Sequence, residues 1–255
     1  MNNSVSLLFT TVTLLFALSS TTHSQEHGTE AGNRSANARA GAVTIHLGSS
    51  AVVIPTPDGF EEASSQFERV RTRFTETEAP GNEMLLVHFT ASDCNILRSG
   101  RDATMNEYTK VSVLSKLKNQ VFSESDLATI VTEFRKNGAA ALDPNAPLNK
   151  ATLDKVEQGL QKTESSNTTL NLTQPVNLGE VEVSPNIYSV MILMTFTKNN
   201  GTTTTTTPIL ASMTFMRVKQ RLLYVYCYRI YRARSDLAAL RAFSKTWTGQ
   251  ILAAN

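Results

Sequence analysis

Two side chains in this chain come closest to a nucleophile and its base. His88 and Cys94 lie six residues apart, and an imidazole beside a thiol lowers the thiol's pKa and makes a thiolate nucleophile. A hydrolase-type site would rest on that pair, but the pattern argues against one. His88 alternates with Leu86 along an apolar run, Cys94 falls in the segment that follows, and no third residue is placed to orient the imidazole. A strand histidine and a structural cysteine describe the two better. His46, His88 and Cys94 are all zinc-type ligands, yet none has the close spacing of a metal motif, and there is no H-E-x-x-H. Glu61 and Glu62 are adjacent, so an extended backbone sends them to opposite faces. Glu180 and Glu182 share a face, which the alternation with Val181 and Val183 leaves to solvent. No G-x-S-x-G, P-loop or Rossmann glycine pattern occurs. No catalytic residue, metal or cofactor is expected.

Cations gather near the end of the chain. Arg217, Lys219, Arg221, Arg229, Arg232, Arg234, Arg241 and Lys245 stand against a single acid, Asp236, with Tyr224, Tyr226, Tyr228 and Tyr231 interleaved. Aromatics among cations can hold an anionic ligand, which makes Arg229, Arg232, Arg241 and Lys245 the candidate ligand-binding residues. Period two puts Tyr224, Tyr226 and Tyr228 on one face with Leu222 and Ile230, so the tyrosines read as a core face and the arginines as a solvated rim. The net charge is only +2, and no nucleic-acid partner is expected.

An address precedes these residues. Val5–Leu18 is an uncharged apolar run and Ser19–Ser24 a short polar one, with small residues at Thr22 and Ser24. That length suits the core of a signal peptide rather than a bilayer span, although no Lys or Arg precedes it; a short membrane-anchoring helix is the alternative. We expect a signal peptide over 1–24, a flexible polar leader over 25–41 and one domain over 42–255, in a periplasmic or secreted protein with no transmembrane anchor after signal removal. In such a compartment the two cysteines, Cys94 and Cys227, invite a disulfide; two inert buried thiols are the other reading.

The elements that must position these residues follow from periodicity. Ala42–Leu47 and Ala51–Ile54 predict a hairpin around Gly48. Phe67, Val70 and Phe74 predict a short helix capped by Ser64, and Met84–Thr90 and Tyr108–Ser115 predict strands joined by a loop over 91–105. Leu127, Ile130, Val131 and Phe134 mark a helix capped at Ser123 or Ser125 and stopped by Gly138. Leu153, Val156 and Leu160 mark another. Three strands then form a meander: Tyr188–Phe196, a return from Thr202 that Pro208 interrupts, and Arg221–Arg232. In a closing helix behind Ser235, Leu237, Leu240, Phe243, Trp247 and Ile251 share an arc of roughly 120°. The class is α+β, a mostly antiparallel sheet with helices packed on it.

Ile54-Pro55-Thr56-Pro57-Asp58-Gly59-Phe60 resembles the I-P-x-P-x-G-F opening of a group of uncharacterised exported bacterial proteins. Trp247 with Ile251-Leu252-Ala253-Ala254-Asn255 resembles their closing helix, and Tyr108 and Leu223-Tyr224 fit the same pattern. The order of elements is loosely similar to the Mog1/PsbP-type sandwich, whose domains mostly act as binding or assembly modules. Neither resemblance implies a reaction. The expected function is a non-catalytic exported domain binding an envelope protein or a small ligand. The alternatives are the Cys94/His88 hydrolase and a secreted host-interaction factor.

Overall fold

The computed structural model describes residues 41–164, 169–199 and 201–255. The expected signal peptide and, but for Gly41, the expected leader lie outside the described residues. The first strands, β1 (Ala42–Leu47) and β2 (Ser50–Pro55), form a separate antiparallel hairpin turned at Gly48, whose φ of +57° suits a residue without Cβ. The large sheet contains β3 (Phe60–Glu62), β4 (Asn82–Thr90), β5 (Glu107–Leu114), β6 (Thr169–Leu172), β7 (Val176–Ser184), β8 (Ile187–Asn199), β9 (Thr204–Val218) and β10 (Arg221–Ile230). Its order is β3-β4-β5-β10-β9-β8-β6, with β7 also paired to β8, and every pairing is antiparallel.

The meander β8-β9-β10 is present, but β10 is not an edge. It lies between β9 and β5, and the layers packed on either side of the sheet bury both its faces along most of its length. On one face the sheet carries Tyr108, Tyr188, Phe215, Tyr224, Tyr226 and Tyr228 against Val70 and Phe74 of α1 (Glu68–Glu76), Cys94 and Leu97 of α2 (Ala91–Arg98), and Leu127, Ile130 and Phe134 of α3 (Glu124–Ala141). α4 (Pro147–Glu164) closes this side, its Gly159 set so close to Glu76 that a Cβ there would fall 2.9 Å from the Glu76 carbonyl oxygen. On the other face α5 (Arg234–Ala253) and the β1–β2 hairpin cover Leu86, Val111, Leu223 and Val225. The class is α+β, with helices on both faces.

Local chemistry explains where the elements begin. Thr90 ends β4 and caps α2 by accepting the Asp93 N–H at 3.1 Å, so the segment expected as a loop opens with a helix. Ser123 and Asp126 form a reciprocal capping box on α3. Gly138 does not stop α3, which runs on to Ala141. Ser64 does not cap α1 either: its hydroxyl goes to Glu62 and accepts the Val87 N–H. Pro208 does not break β9, which continues through it. Among the described residues no helix is long and apolar enough to cross a membrane.

Candidate functional site

The sheet itself separates the groups that would form a nucleophile and its base. Cys94 sits in α2 on the tyrosine face, fully buried. Burial and the neighbouring Glu61 carboxylate push its thiol up to about 12, the reverse of activation. His88 points the other way, towards α5. Its Nδ1 shares a hydrogen bond with Thr109 Oγ1 at 3.0 Å, and Trp247 meets the ring edge-on at 5.6 Å between centroids. Nε2 has no partner among the described residues, and burial pulls the pKa down to about 4. His46 is exposed on β1, in the hairpin. The pair expected for hydrolase chemistry is therefore not assembled. Among the described residues no three His, Cys, Asp or Glu side chains gather to hold a metal.

Cys227 belongs to the α5 half of the core, where Ser244 hydrogen-bonds its thiol, and burial holds its pKa well above the usual range. Cys94 and Cys227 are both free and buried. The disulfide expected as one reading is not made, because the strands lie between the two sulfurs.

The candidate carboxylates are also committed. Glu61 pairs with Arg98, which also donates to Gln66 Oε1 at 2.8 Å. Glu62 accepts from the hydroxyls of Ser64 and Ser65. Glu180 and Glu182 do not share a face. β7 is bulged between them, so Glu180 takes Arg135 of α3 at 2.6 Å while Glu182 lies 3.5 Å from the Thr248 hydroxyl of α5.

The basic cluster divides in three. At the β9–β10 turn Arg217 donates to the Phe122 and Asn186 oxygens, Lys219 to the Ala51 carbonyl and Arg221 to Ser50. At the far end of β10, Arg229 bridges Glu107 at 2.6 Å and Asp236 at 3.9 Å, and Arg232 donates to Asn106. Arg241 and Lys245 are exposed on the outer side of α5, where Arg241 reaches the Glu180 carbonyl at 3.4 Å. Arg229, Arg232, Arg241 and Lys245 therefore do not converge on one point.

Two buried polar assemblies were not anticipated. On the tyrosine face, Lys110 is fully buried and donates to both Glu78 oxygens at 3.1 and 3.2 Å. Ser112 adds a third bond at 3.0 Å, and the ammonium stands 4.9 Å from the Tyr226 ring centroid. Burial lowers the Lys110 pKa and Glu78 opposes that shift. The signal was weak: Lys110 is in phase with Tyr108 and Ser112, and only the burial of β5 on both faces shows that it needs an internal anion. Under α5, cross-strand neighbours His88, Thr109, Cys227 and Ser212 occupy β4, β5, β10 and β9 in succession. Ser244 of α5 lies 2.7 Å from the Ser212 hydroxyl, Ser189 lies 3.1 Å from it, and Thr214 donates to Ser189 at 2.8 Å. A polar seam thus crosses the sheet beneath the helix.

Open surface lies elsewhere. A shallow dimple of about 10 Å³ is lined by Leu142, Pro144, Asn149, Thr152, Leu153, Leu172 and Pro175. Pro175 on its rim is followed in the chain by Val176 at the start of β7, which is 53% exposed. No protein-family model and no curated protein matches this chain. Two solved structures align with 84% of it and 92% of their own lengths: a Mog1 point mutant, at a TM-score of 0.30 and 14% identity, and the Saccharomyces cerevisiae Ran-binding protein Mog1p, at 0.29 and 13%. At those values the likeness establishes neither family nor function.

Proposed function

We propose that this chain is an exported, non-catalytic domain that binds a protein in the cell envelope. One observation carries the choice of binding over catalysis. The reactive side chains are sealed in opposite halves of the core, whereas the β6–β7 end offers a mostly apolar dimple open to solvent, with exposed Val176 next in the chain after Pro175 on its rim. Contiguous exposed apolar surface is what a protein partner covers. The dimple is too shallow to enclose a small molecule, which favours a larger partner lying across it. Export is supported by the Val5–Leu18 run. Arg232, Arg241 and Lys245 serve this reading as a solvated rim, while Arg229 is taken up by Glu107 and Asp236.

Intact-mass analysis of secreted material should find a chain starting at Gln25; a cell-associated chain retaining Met1 overturns export. A photo-crosslinking residue at Val176 should give a discrete adduct in the envelope, and one at Thr44 on β1 should not. Equal labelling at both positions, or none at Val176, overturns the surface.

A further inference from the structure

The outer strands of the large sheet are defended in different ways against pairing with other chains. β3 is three residues long. β7 carries two register shifts and Gly179 at φ +100°, so its outer groups form no straight row. In β6 the Leu170 N–H is occupied by the Glu157 carboxylate at 2.8 Å. The exception is one end of β9. β10 pairs with β9 only from Ile209 onward, and the Tyr231 N–H donates to the Pro208 carbonyl at 2.9 Å. Beyond that point, among the described residues, Thr204–Thr207 are paired on one side alone, to Phe196–Asn199 of β8, in an unbroken register. Thr204, Thr205 and Thr206 are exposed, and no charged residue occurs from Gly201 to Pro208. Threonine favours the extended backbone, so this edge is straight, uncharged and open.

We propose that this edge is a self-association surface, on which Thr204–Thr207 of one copy pairs antiparallel with the same segment of a second. A two-fold contact sets residue i against j and j against i, so it needs a self-complementary sequence. A run of one residue type meets that condition in every register, with threonine opposite threonine each time. Nothing on the edge would select the sequence of a foreign strand; the repeat selects a copy. Antiparallel pairing also places Arg232, just beyond the Pro208 end, beside the partner's Gly201 turn instead of its Arg232. Four residues from each copy make a small interface, so the association is weak and concentration-dependent.

Sedimentation velocity of the mature chain over a hundredfold concentration range should show the average mass rising towards twice the monomer value. Thr205→Lys/Thr206→Lys puts like charges on both faces of the contact and should hold the mass at monomer, with an unchanged melting curve showing that the fold is kept. Thr206→Cys should give a crosslinked dimer on mild oxidation, since Cys94 and Cys227 are buried, and Val176→Cys should not. A monomeric wild type at every concentration overturns the proposal. So does a dimer undiminished by the two lysines, or equal crosslinking through Val176→Cys.

Discussion

His88 is the residue whose environment has the clearest energetic sign. Its folded pKa, about 4, lies below the ordinary histidine value of 6.5, so between those values the unfolded chain takes up the proton first. The contribution is fully present above about pH 6.5 and is lost as pH falls towards 4, by roughly 3 kcal/mol in all. We expect His88→Leu to remove that part of the acid sensitivity, read as a flatter dependence of urea midpoint on pH; equal slopes in both proteins would refute it. Lys110 and Glu78 pose a different problem. Breaking one side leaves a buried charge without its counterpart, so Lys110→Met should cost roughly 3–5 kcal/mol, whereas Lys110→Met with Glu78→Leu should recover much of that loss. Chemical denaturation of the two variants decides it. A double variant as unstable as the single one would mean that the pair contributes more than the mutual neutralisation of two trapped charges.

At the scale of elements, α5 holds the hairpin as well as the sheet. Leu240, Trp247 and Ile251 are fully buried, the Trp247 indole donates to the Pro55 carbonyl at 2.8 Å, and the Asn255 amide grips both the N–H and C=O of Val53, at 2.9 and 2.7 Å. Each apolar anchor contributes about 1.5–3 kcal/mol on burial. Removing the chain from Trp247 onward should therefore abolish cooperative thermal unfolding. Arg241→Ala with Lys245→Ala, on the exposed side, should stay within about 0.5 kcal/mol of wild type. The apolar arc of α5 was legible because five large side chains recur at helical spacing. α2 was not, since Cys94 and Leu97 are its only buried apolar residues and its cap, Thr90, also ends a strand. The facing of Glu180 and Glu182 was misread for a related reason: alternation assumes an unbroken ladder, and β7 has a bulge between them.

For the whole molecule, the class and the tyrosine face of β10 could be read from period and composition, but the position of β10 in the sheet could not. Alternation says that a strand is buried on both sides and is silent about which strands flank it, and Cys227 meets Thr109 across a wide gap in sequence. The segregation of Cys94 from His88 was hidden for the same reason, because it depends on which face each element covers. That placement of β10 has a consequence for biosynthesis. β5 and β9 both wait for β10, which is made after all the other strands of the sheet, so during translation the β3–β5 and β6–β9 portions exist as two incomplete sheets, each with an open side. Neither can close while β10 is still in the ribosome, and α5 must follow before the hairpin is clasped. The nascent chain is therefore held short of its native state until β10 and α5 have emerged, a delay that exposes its unpaired strand edges to holding chaperones in the meantime.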